Sequence, residues 1–153
     1  MILTYSAPDH AACLDIFQSN CPLYFMPDEL EGLQLWLGGQ DRQTLAYRNT
    51  SADHFFVLEE GGKVLGCGGY YIVKDEPIAN LVWGMIHAQH HKKGYGTQLY
   101  QYGLQHIHQN YPTHQLIMDT SQHTYGFYEK MGVKVSAITK DSYGEGLDRY
   151  DMK

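Results

Sequence analysis

The clearest hydrophobic pattern in the chain is an apolar run from Ala79 to His87, which stops at a polar cluster of histidine, lysine and glycine. The run is short and rich in aliphatic residues, which is typical of a buried strand. From Thr97 onward, apolar side chains recur at helical spacing until Tyr111-Pro112, where proline ends the helix. This central stretch therefore predicts a strand, a glycine-containing turn and a helix.

The same kinds of pattern predict elements on both sides of the central stretch. Before it we expect a strand over 2–5, a helix opening at Pro8-Asp9, a second helix from Pro27-Asp28 that stops at Gly38-Gly39, and strands over 54–58 and 64–73. After it we expect a strand over 115–119, a helix over 122–131 that stops at Gly132, strands over 133–138 and 148–152, and a loop over 141–146. Antiparallel hairpins combined with a crossover helix predict an α+β (mixed α/β) fold.

Length and composition predict one folded domain over residues 1–153, because 43% of the residues are hydrophobic. No apolar run approaches the ~20 residues that span a membrane, and the first residues lack a basic and apolar leader. We therefore expect a soluble, cytoplasmic protein with no membrane partner.

The cysteines Cys13, Cys21 and Cys67 form no Cys-x-x-Cys pair, so we expect reduced, packed thiols.

The net charge of −6 argues against a nucleic-acid partner, because binding along a duplex needs a basic face. An acidic surface suits a cationic small-molecule substrate, although acidity also serves solubility. Asp28, Glu29 and Glu31, at the start of the second helix, leave the same choice open. They either attract a substrate ammonium or complement the positive N-terminus of the helix.

Gly94 and Gly96 lie in the turn between the central strand and its helix. Glycine adopts left-handed backbone angles without strain and lets a phosphate oxygen approach the backbone closely. The first amide N–H groups of a helix have no partner inside the helix and carry partial positive charge. Lys92 and Lys93 add charge at the rim, so the amides of Lys92–Thr97 are a candidate cradle for a pyrophosphate.

Two other phosphate-binding motifs are absent from this turn. A Walker loop requires Gly-x-x-x-x-Gly-Lys-Ser/Thr, and a dinucleotide fingerprint requires a third glycine where this chain has Leu99. Gly-x-Gly alone fits a purely structural turn equally well. His87, His90 and His91 lie in the same turn, but neither a His-Glu-x-x-His motif nor a clear carboxylate partner accompanies them. We therefore expect ordinary turn histidines and no bound metal.

Residues 91–96 (His-Lys-Lys-Gly-Tyr-Gly), after Met-Ile-His-Ala-Gln-His, resemble the pyrophosphate-binding motif of the GCN5-related N-acetyltransferases (GNAT). That motif runs Arg/Gln-x-x-Gly-x-Gly/Ala after a strand that ends in an aliphatic-His-Pro-like turn. Here His91 replaces the usual Arg or Gln, and Ala88 replaces the frequent proline. Most phosphate contacts in that family come from backbone N–H groups, so the change at position 91 is expected to weaken the site rather than abolish it.

A second match lies in residues 127–133 (Phe-Tyr-Glu-Lys-Met-Gly-Val), which resemble the family's Phe/Leu-Tyr-Glu-Lys-x-Gly-Phe segment. Val133 takes the place of the usual phenylalanine. In the segment where an Asn often contacts the cofactor, this chain has Thr-Ser-Gln, with Ser121 at the matching position. The interval from Gly96 to Tyr128 and the order of elements are also similar to the family. The resemblance covers nearly the whole chain.

The resemblance implies a central mixed, mostly antiparallel sheet of six or seven strands, flanked by about four helices. It also implies acetyl-CoA as co-substrate and acetyl transfer to a primary amine of a small molecule or a peptide. Tyr128 matches the family's general acid, which protonates the departing thiolate; its spacing alone would favour a core residue. The cofactor-binding residues that the resemblance implies are Met85, Ile86, His87, His91, Lys92, Lys93, Gly94, Tyr95, Gly96, Thr97, Ser121 and Tyr125.

In that family a splayed central strand exposes backbone N–H groups to the thioester carbonyl, here near Met85 and Ile86. Gly84 fits a bulge at this point, and such N–H groups stabilise a developing oxyanion. The base for the attacking amine is not assigned, because several groups near the relevant strands and a water relay are equally suitable. The side chains in question are Glu59, Glu76, Asn80 and His87.

A different class of function fits the same residues. A catalytically silent acyl-CoA-binding sensor or interaction domain is the alternative, since the departures at positions 91 and 133 leave room for lost turnover. A metal-binding protein is a third and weaker hypothesis. The acceptor amine is not indicated by the sequence, and the exposed edge of the last strands leaves a homodimer open.

Overall fold

The computed structural model describes all 153 residues, which form seven strands and four α-helices. The strands are β1 (Ile2–Thr4), β2 (Thr50–Glu60), β3 (Lys63–Val73), β4 (Ile78–Ile86), β5 (Gln115–Thr120), β6 (Val135–Gly144) and β7 (Leu147–Met152). The helices are α1 (His10–Ser19), α2 (Leu30–Arg42), α3 (Tyr95–Asn110) and α4 (Tyr125–Glu129). The expected α+β class and sheet are confirmed. None of the helices has the length and hydrophobicity needed to cross a membrane.

All seven strands belong to one sheet, in the order β1-β2-β3-β4-β5-β7-β6. Neighbouring strands are antiparallel except β4 and β5, which are parallel because α3 forms a crossover between them. This parallel pairing covers only three positions, from Ile78↔Gln115 to Asn80↔Ile117. Beyond Asn80 the two strands separate, and the end of β5 pairs with β7 on its other side. A V-shaped gap therefore opens between the second half of β4 and β5.

Helices α1 and α2 cover one face of the sheet, and α3 covers the other. The first layer buries Cys13, Ile16 and Phe17 of α1, as the helical spacing predicts, together with Leu33 and Trp36 of α2. The second layer joins the buried face of α3 to apolar residues of β2, β3 and β4. Removing these side chains from water is the main favourable term in folding, and it holds the helices on a sheet that is open at its centre.

Helix α2 continues through Gly38-Gly39, where the sequence predicted its end, and stops at Arg42. Gln43 ends the helix in the left-handed conformation, with a φ of 55°. Gly39 is buried, and a Cβ placed on it would lie 2.9 Å from both the Ala46 Cβ and the Thr44 carbonyl oxygen. The glycine is therefore needed for the close approach of the following loop rather than for ending the helix.

Replacing Gly39 with alanine is expected to destabilise the protein, although alanine normally favours a helix over glycine by about 1 kcal/mol. The added methyl group has to displace loop atoms, and overpacking of this kind typically costs about 1–3 kcal/mol. Gly103 in α3 is the matched control because no atom lies within 4 Å of its added Cβ. Gly103→Ala is expected to stabilise by roughly 0.5–1 kcal/mol. Urea unfolding of both variants measures the difference, and two changes of the same sign would contradict it.

The predicted loop over 141–146 is partly strand in the structure, because β6 continues to Gly144 and a tight hairpin joins it to β7. Asp141 stabilises this hairpin: its carboxylate accepts the Gly146 amide at 2.8 Å. Most side chains of β6 are exposed, so its composition is typical of a loop. The hairpin brings Tyr143 to the gap between β4 and β5.

Candidate active site

A bulge interrupts β4 in the part that has separated from β5. Between the paired positions Gly69↔Val82 and Cys67↔Met85, β3 advances by two residues and β4 by three. The extra residue falls at Trp83, whose φ of 52° lies in the left-handed region. Non-glycine residues rarely adopt this conformation, and it persists only where the surrounding structure holds it. The bulge expected in this strand is therefore present.

The extra residue reverses which side chains face each layer. Leu81 packs on the α3 side of the sheet, whereas Trp83 and Met85 pack on the α1 and α2 side. In a regular strand these alternate positions would share one face. Gly84 follows the bulge and is exposed, and a Cβ placed on it would lie 3.3 Å from the Tyr128 hydroxyl. The bulge thus brings bare backbone of β4 next to this phenol.

The gap between β4 and β5 holds a cavity of about 980 Å³. One end is formed by the turn after β4, the first turn of α3 and part of α4. The other end is formed by a group of neighbouring residues around Trp83 and Asp119, which are Phe25, Glu29, Tyr47 and Tyr143. Beyond Asn80 this edge of β4 has no strand partner, so its peptide N–H groups are open to the cavity. The volume and the mixed apolar and polar lining are typical of a small-molecule site.

The turn before α3 leaves its amide groups free. Lys92 and Gly94 have φ values of 62° and 84°, and α3 begins at Tyr95, earlier than the predicted start. None of the N–H groups of residues 92–97 donates to a carbonyl of the turn or the helix cap. The N–H of Gln98 is the first to do so, and its acceptor is the Gly94 carbonyl. Free amides at a helix N-terminus suit a bound anion.

Side chains from the end of α1 hold this turn in place. Asn20 is 4% exposed, and its Nδ2 donates to the Ile86 carbonyl at 2.9 Å, where β4 ends. Ser19 Oγ accepts the Ala88 amide at 3.0 Å. The His91 Nε2 lies 2.8 Å from the same Ile86 carbonyl, so this histidine ties the turn to the strand. The sequence pattern does not identify Ser19 and Asn20 as site residues, because contacts this distant in the chain leave no local signal.

Helix α4 is shorter than the predicted helix over 122–131 and covers Tyr125–Glu129. It follows a turn in which the Ser121 carbonyl accepts two amides, and Ser121 itself is 3% exposed. Gly132 then turns the chain with a φ of 91°, as its position predicted. A Cβ placed on Gly96 would lie 3.4 Å from the Phe127 ring, so the missing side chain lets the start of α3 approach α4 closely.

Tyr128 projects from α4 toward the bulge in β4. Its hydroxyl faces Gly84, and its ring packs edge-on against Tyr100 at a centroid distance of 5.7 Å. Burial raises the pKa of Tyr128 to about 12, and the neighbouring Tyr100 phenol adds to this shift. The phenol therefore keeps its proton throughout the pH range in which proteins normally work.

The far end of the cavity combines aromatic rings with carboxylates, a grouping that the sequence did not predict. The rings belong to Phe25, Tyr47, Tyr71, Trp83 and Tyr143, and the carboxylates to Glu29 and Asp119. Trp83 stacks on Phe25 with a centroid distance of 6.1 Å, and the Tyr143 hydroxyl donates to the Asp119 carboxylate. These residues come from separate segments of the chain, so no spacing in the sequence relates them.

Comparison with known proteins identifies the family. The sequence profile of the Acetyltransferase (GNAT) family matches residues 13–133, a span that includes the free-amide turn and Tyr128. The chain belongs to the GNAT family. No curated protein matches it by sequence.

Solved structures share the GNAT fold at low sequence identity. Ribosomal-protein-alanine N-acetyltransferase from Brucella melitensis is 17% identical, with a TM-score of 0.76 over 99% of this chain and 97% of that chain. The protein yncA from Salmonella typhimurium, solved with its cofactor acetyl-CoA, is 18% identical, with a TM-score of 0.73 over 99% and 91%. An aminoglycoside 6'-N-acetyltransferase complexed with coenzyme A is 14% identical, with a TM-score of 0.72 over 99% and 94%. At these identities the matches establish the fold.

Most of the site residues expected from the GNAT resemblance line the cavity. They are Met85, Ile86, His91, Lys92, Gly94, Tyr95, Gly96, Thr97, Ser121 and Tyr128. His87, Lys93 and Tyr125 do not line it. Tyr125 stacks on Tyr150 at a centroid distance of 4.5 Å, His87 Nε2 lies 3.3 Å from the Asp15 carboxylate, and Lys93 is exposed. The side chains of His87 and Tyr125 are therefore engaged outside the cavity, and Lys93 stays a candidate through its free backbone N–H.

The groups considered as a base lie mostly outside the GNAT cavity. Of the four side chains, only Asn80 lines it, and its Nδ2 donates to the Tyr71 hydroxyl at 2.7 Å. An amide does not accept a proton at neutral pH, and Glu59, Glu76 and His87 do not line the cavity, so the base stays unassigned. No group of three or more His, Cys, Asp or Glu side chains is arranged to hold a metal ion.

Proposed function

We propose that this protein transfers the acetyl group of acetyl-CoA to a primary amine of a small molecule or a peptide, by direct attack in a ternary complex. The observation that carries the proposal is that one cavity is lined both by the free-amide turn 92–97 and by Tyr128. The turn suits a pyrophosphate, and the phenol suits a departing thiolate. Membership of the GNAT family, and the acetyl-CoA or coenzyme A in two similar structures, support the same cofactor.

Backbone groups hold the cofactor in this proposal. The N–H groups of Lys92–Thr97 donate to the pyrophosphate at the N-terminus of α3, where the helix dipole adds partial positive charge. Gly94 and Gly96 present no side chain to the phosphates, and Lys92 adds a full charge at the rim. His91 acts indirectly, because its ring is engaged with the Ile86 carbonyl and keeps the turn in place. An uncommon residue at position 91 is therefore compatible with binding.

The acetyl carbonyl lies against the open edge of β4 near Met85 and Ile86. N–H groups on that edge polarise the carbonyl and stabilise the oxyanion that forms on attack. The substrate ammonium first loses one proton to solvent, and its neutral nitrogen then attacks the carbonyl carbon. The new C–N bond forms, the C–S bond breaks, and the nitrogen loses a second proton. The departing thiolate takes the proton of Tyr128, which solvent then restores.

The raised pKa of Tyr128 is compatible with this role. A phenol of pKa about 12 holds its proton more tightly than an aqueous thiol, whose pKa is about 8.5. The same burial also raises the pKa of a thiolate that leaves inside the cavity, because low polarity disfavours every anion. Proton donation then develops as the C–S bond breaks, when the negative charge on sulfur is largest.

The proposal is tested by measuring the release of free CoA from acetyl-CoA against a panel of primary amines. We expect amine-dependent release, together with acetyl-CoA binding that calorimetry detects. Absence of both would contradict the proposal. Binding of acetyl-CoA without release in the presence of any amine would favour a silent acyl-CoA-binding domain instead.

A further inference from the structure

We infer that the acceptor is a protonated primary amine carried on a flat apolar body, such as an arylethylamine, with Glu29 as its ammonium partner and Phe25 and Trp83 as the wall for its body. This inference rests on the proposed function, since it names the substrate class for the same cavity. It is carried by three features of the far end of the cavity: the position of its aromatic wall, its unbalanced charge, and the orientation of one acidic residue among three.

The aromatic wall begins directly beside the reacting position. Trp83 precedes Gly84, the residue that lies next to the Tyr128 hydroxyl. Its ring stacks on Phe25 with an interplanar angle of 27°, and its Nε1 donates to the Tyr47 hydroxyl at 3.3 Å. Both rings are thereby held in position before a substrate binds. A flat apolar group attached one or two carbons from the reacting nitrogen fits against such a wall, and aromatic faces also attract a nearby cation.

The charge at this end of the cavity is not balanced. Glu29 accepts the Met26 amide at 2.8 Å through Oε2, and no cationic side chain forms an ion pair with it. Asp119 lies 3.6 Å from Arg149, but the same guanidinium also binds Asp151 at 2.9 Å. Two carboxylates therefore share one cation, and Glu29 has no cationic partner. A substrate ammonium supplies the positive charge that Glu29 lacks, and a substrate carboxylate is repelled.

Glu29 differs from its acidic neighbours in where it points. It lies in a short 3-10 turn, Pro27–Glu29, just before α2, and it lines the cavity. Asp28 and Glu31 instead line a shallow surface depression away from it. Burial raises the pKa of Glu29, with a further contribution from Asp119, and a bound ammonium would oppose this shift. Of the three acids that the sequence singled out, Glu29 alone is placed to bind the substrate.

Steady-state kinetics with related amines tests the inference. We expect 2-phenylethylamine to have the highest kcat/KM, and phenylalanine, which adds only a carboxylate to the same body, to be at least about 100-fold poorer. Spermidine and an alanyl peptide, which lack the aryl group, are expected to be at least about 10-fold poorer.

Glu29→Gln keeps an oxygen for the Met26 amide and is expected to raise KM for 2-phenylethylamine about 10-fold, with KM for acetyl-CoA unchanged. Glu31→Gln is the matched control and is expected to change neither constant.

Tryptophan fluorescence provides a readout that requires neither turnover nor a variant. The chain has two tryptophans, and Trp36 is fully buried in the core, so Trp83 reports on the cavity. With CoA present, 2-phenylethylamine is expected to change the fluorescence at concentrations at least 10-fold lower than those of the neutral analogue 2-phenylethanol. Equal affinity for the two compounds would overturn the inference.

Different results would contradict the proposed acetyltransferase function and the inference about the acceptor amine. If no amine is acetylated and acetyl-CoA does not bind, the proposed function is wrong. If amines are acetylated but phenylalanine, spermidine or the peptide equals 2-phenylethylamine, the inference about the acceptor is wrong and the acetyltransferase proposal stands. The same conclusion follows if Glu29→Gln leaves the KM of the amine unchanged.

Discussion

Tyr128→Phe is expected to lower kcat by about 10²–10⁴-fold, the range that a positioned general acid typically contributes. The phenol is the group that faces Gly84 at the bulge, so its removal leaves the departing thiolate without a proton donor there. KM for acetyl-CoA is expected to change little, because the proposed pyrophosphate contacts come from another element. Free CoA release under saturating amine measures the effect, and calorimetry measures acetyl-CoA binding.

Tyr102→Phe is the matched control for this variant. Tyr102 is an exposed residue of α3 and does not line the cavity, so the loss of its hydroxyl is expected to leave kcat unchanged.

Because the pKa of Tyr128 is about 12, ionisation of Tyr128 is expected to cause no loss of kcat between pH 7 and about 10. A Tyr128→Phe enzyme with normal kcat would remove the phenol from the mechanism. An alkaline loss of activity that disappears in the variant would contradict the pKa argument.

Gly94→Asp is expected to weaken acetyl-CoA binding by at least about 100-fold at low salt. Two like charges about 4 Å apart near a protein surface repel by roughly 4 kcal/mol. This exceeds the binding free energy that a 100-fold loss of affinity represents. The folded protein is expected to tolerate the change, since Asp and Asn adopt the left-handed conformation more readily than other residues with a side chain. An acidic group at a helix N-terminus also favours the helix.

Gly94→Asn separates charge from shape in this test. Asparagine has nearly the same size and the same tolerance for the φ of 84° at this position, but it carries no charge. We expect it to bind acetyl-CoA at least about 10-fold more tightly than the aspartate variant, with a difference that shrinks as salt is added. Calorimetric titration at two salt concentrations measures both effects. Equal binding by the two variants would show that no phosphate lies at this turn.

Local sequence patterns were sufficient to locate a part of the site when that part lies in one short, continuous segment. The free-amide turn is contiguous, with the left-handed Gly94 directly before the start of α3. The segment around Tyr128 is likewise continuous and ends at a left-handed glycine. In both segments a glycine marks the turn in the sequence, at Gly94 and at Gly132, so the position of each turn could be predicted, whereas the contacts that hold the first turn in place come from α1.

Local patterns failed where a distant segment decides the conformation. Gly38-Gly39 has the composition of a helix end, yet α2 continues to Arg42, and Gly39 instead makes room for the loop at Ala46. Tyr125 lies two residues before the matched segment 127–133 and was expected at the site, but its ring stacks on Tyr150 of β7 and does not line the cavity. In both cases the outcome depends on a neighbour that no local periodicity identifies.

By itself, the sequence determined the mixed α+β class and the order of the elements, because these follow from hydrophobic periodicity and turn residues, and its resemblance to the GNAT family singled out the turn at 92–97 and Tyr128. Only the tertiary structure decided that Trp83 turns to the α1 and α2 side, that Glu29 rather than Asp28 or Glu31 faces the cavity, and that Asn20 holds the turn. The physical reason is that a one-residue bulge reverses strand alternation, and that the rotation of a helix start and a buried hydrogen bond are set by packing between distant segments.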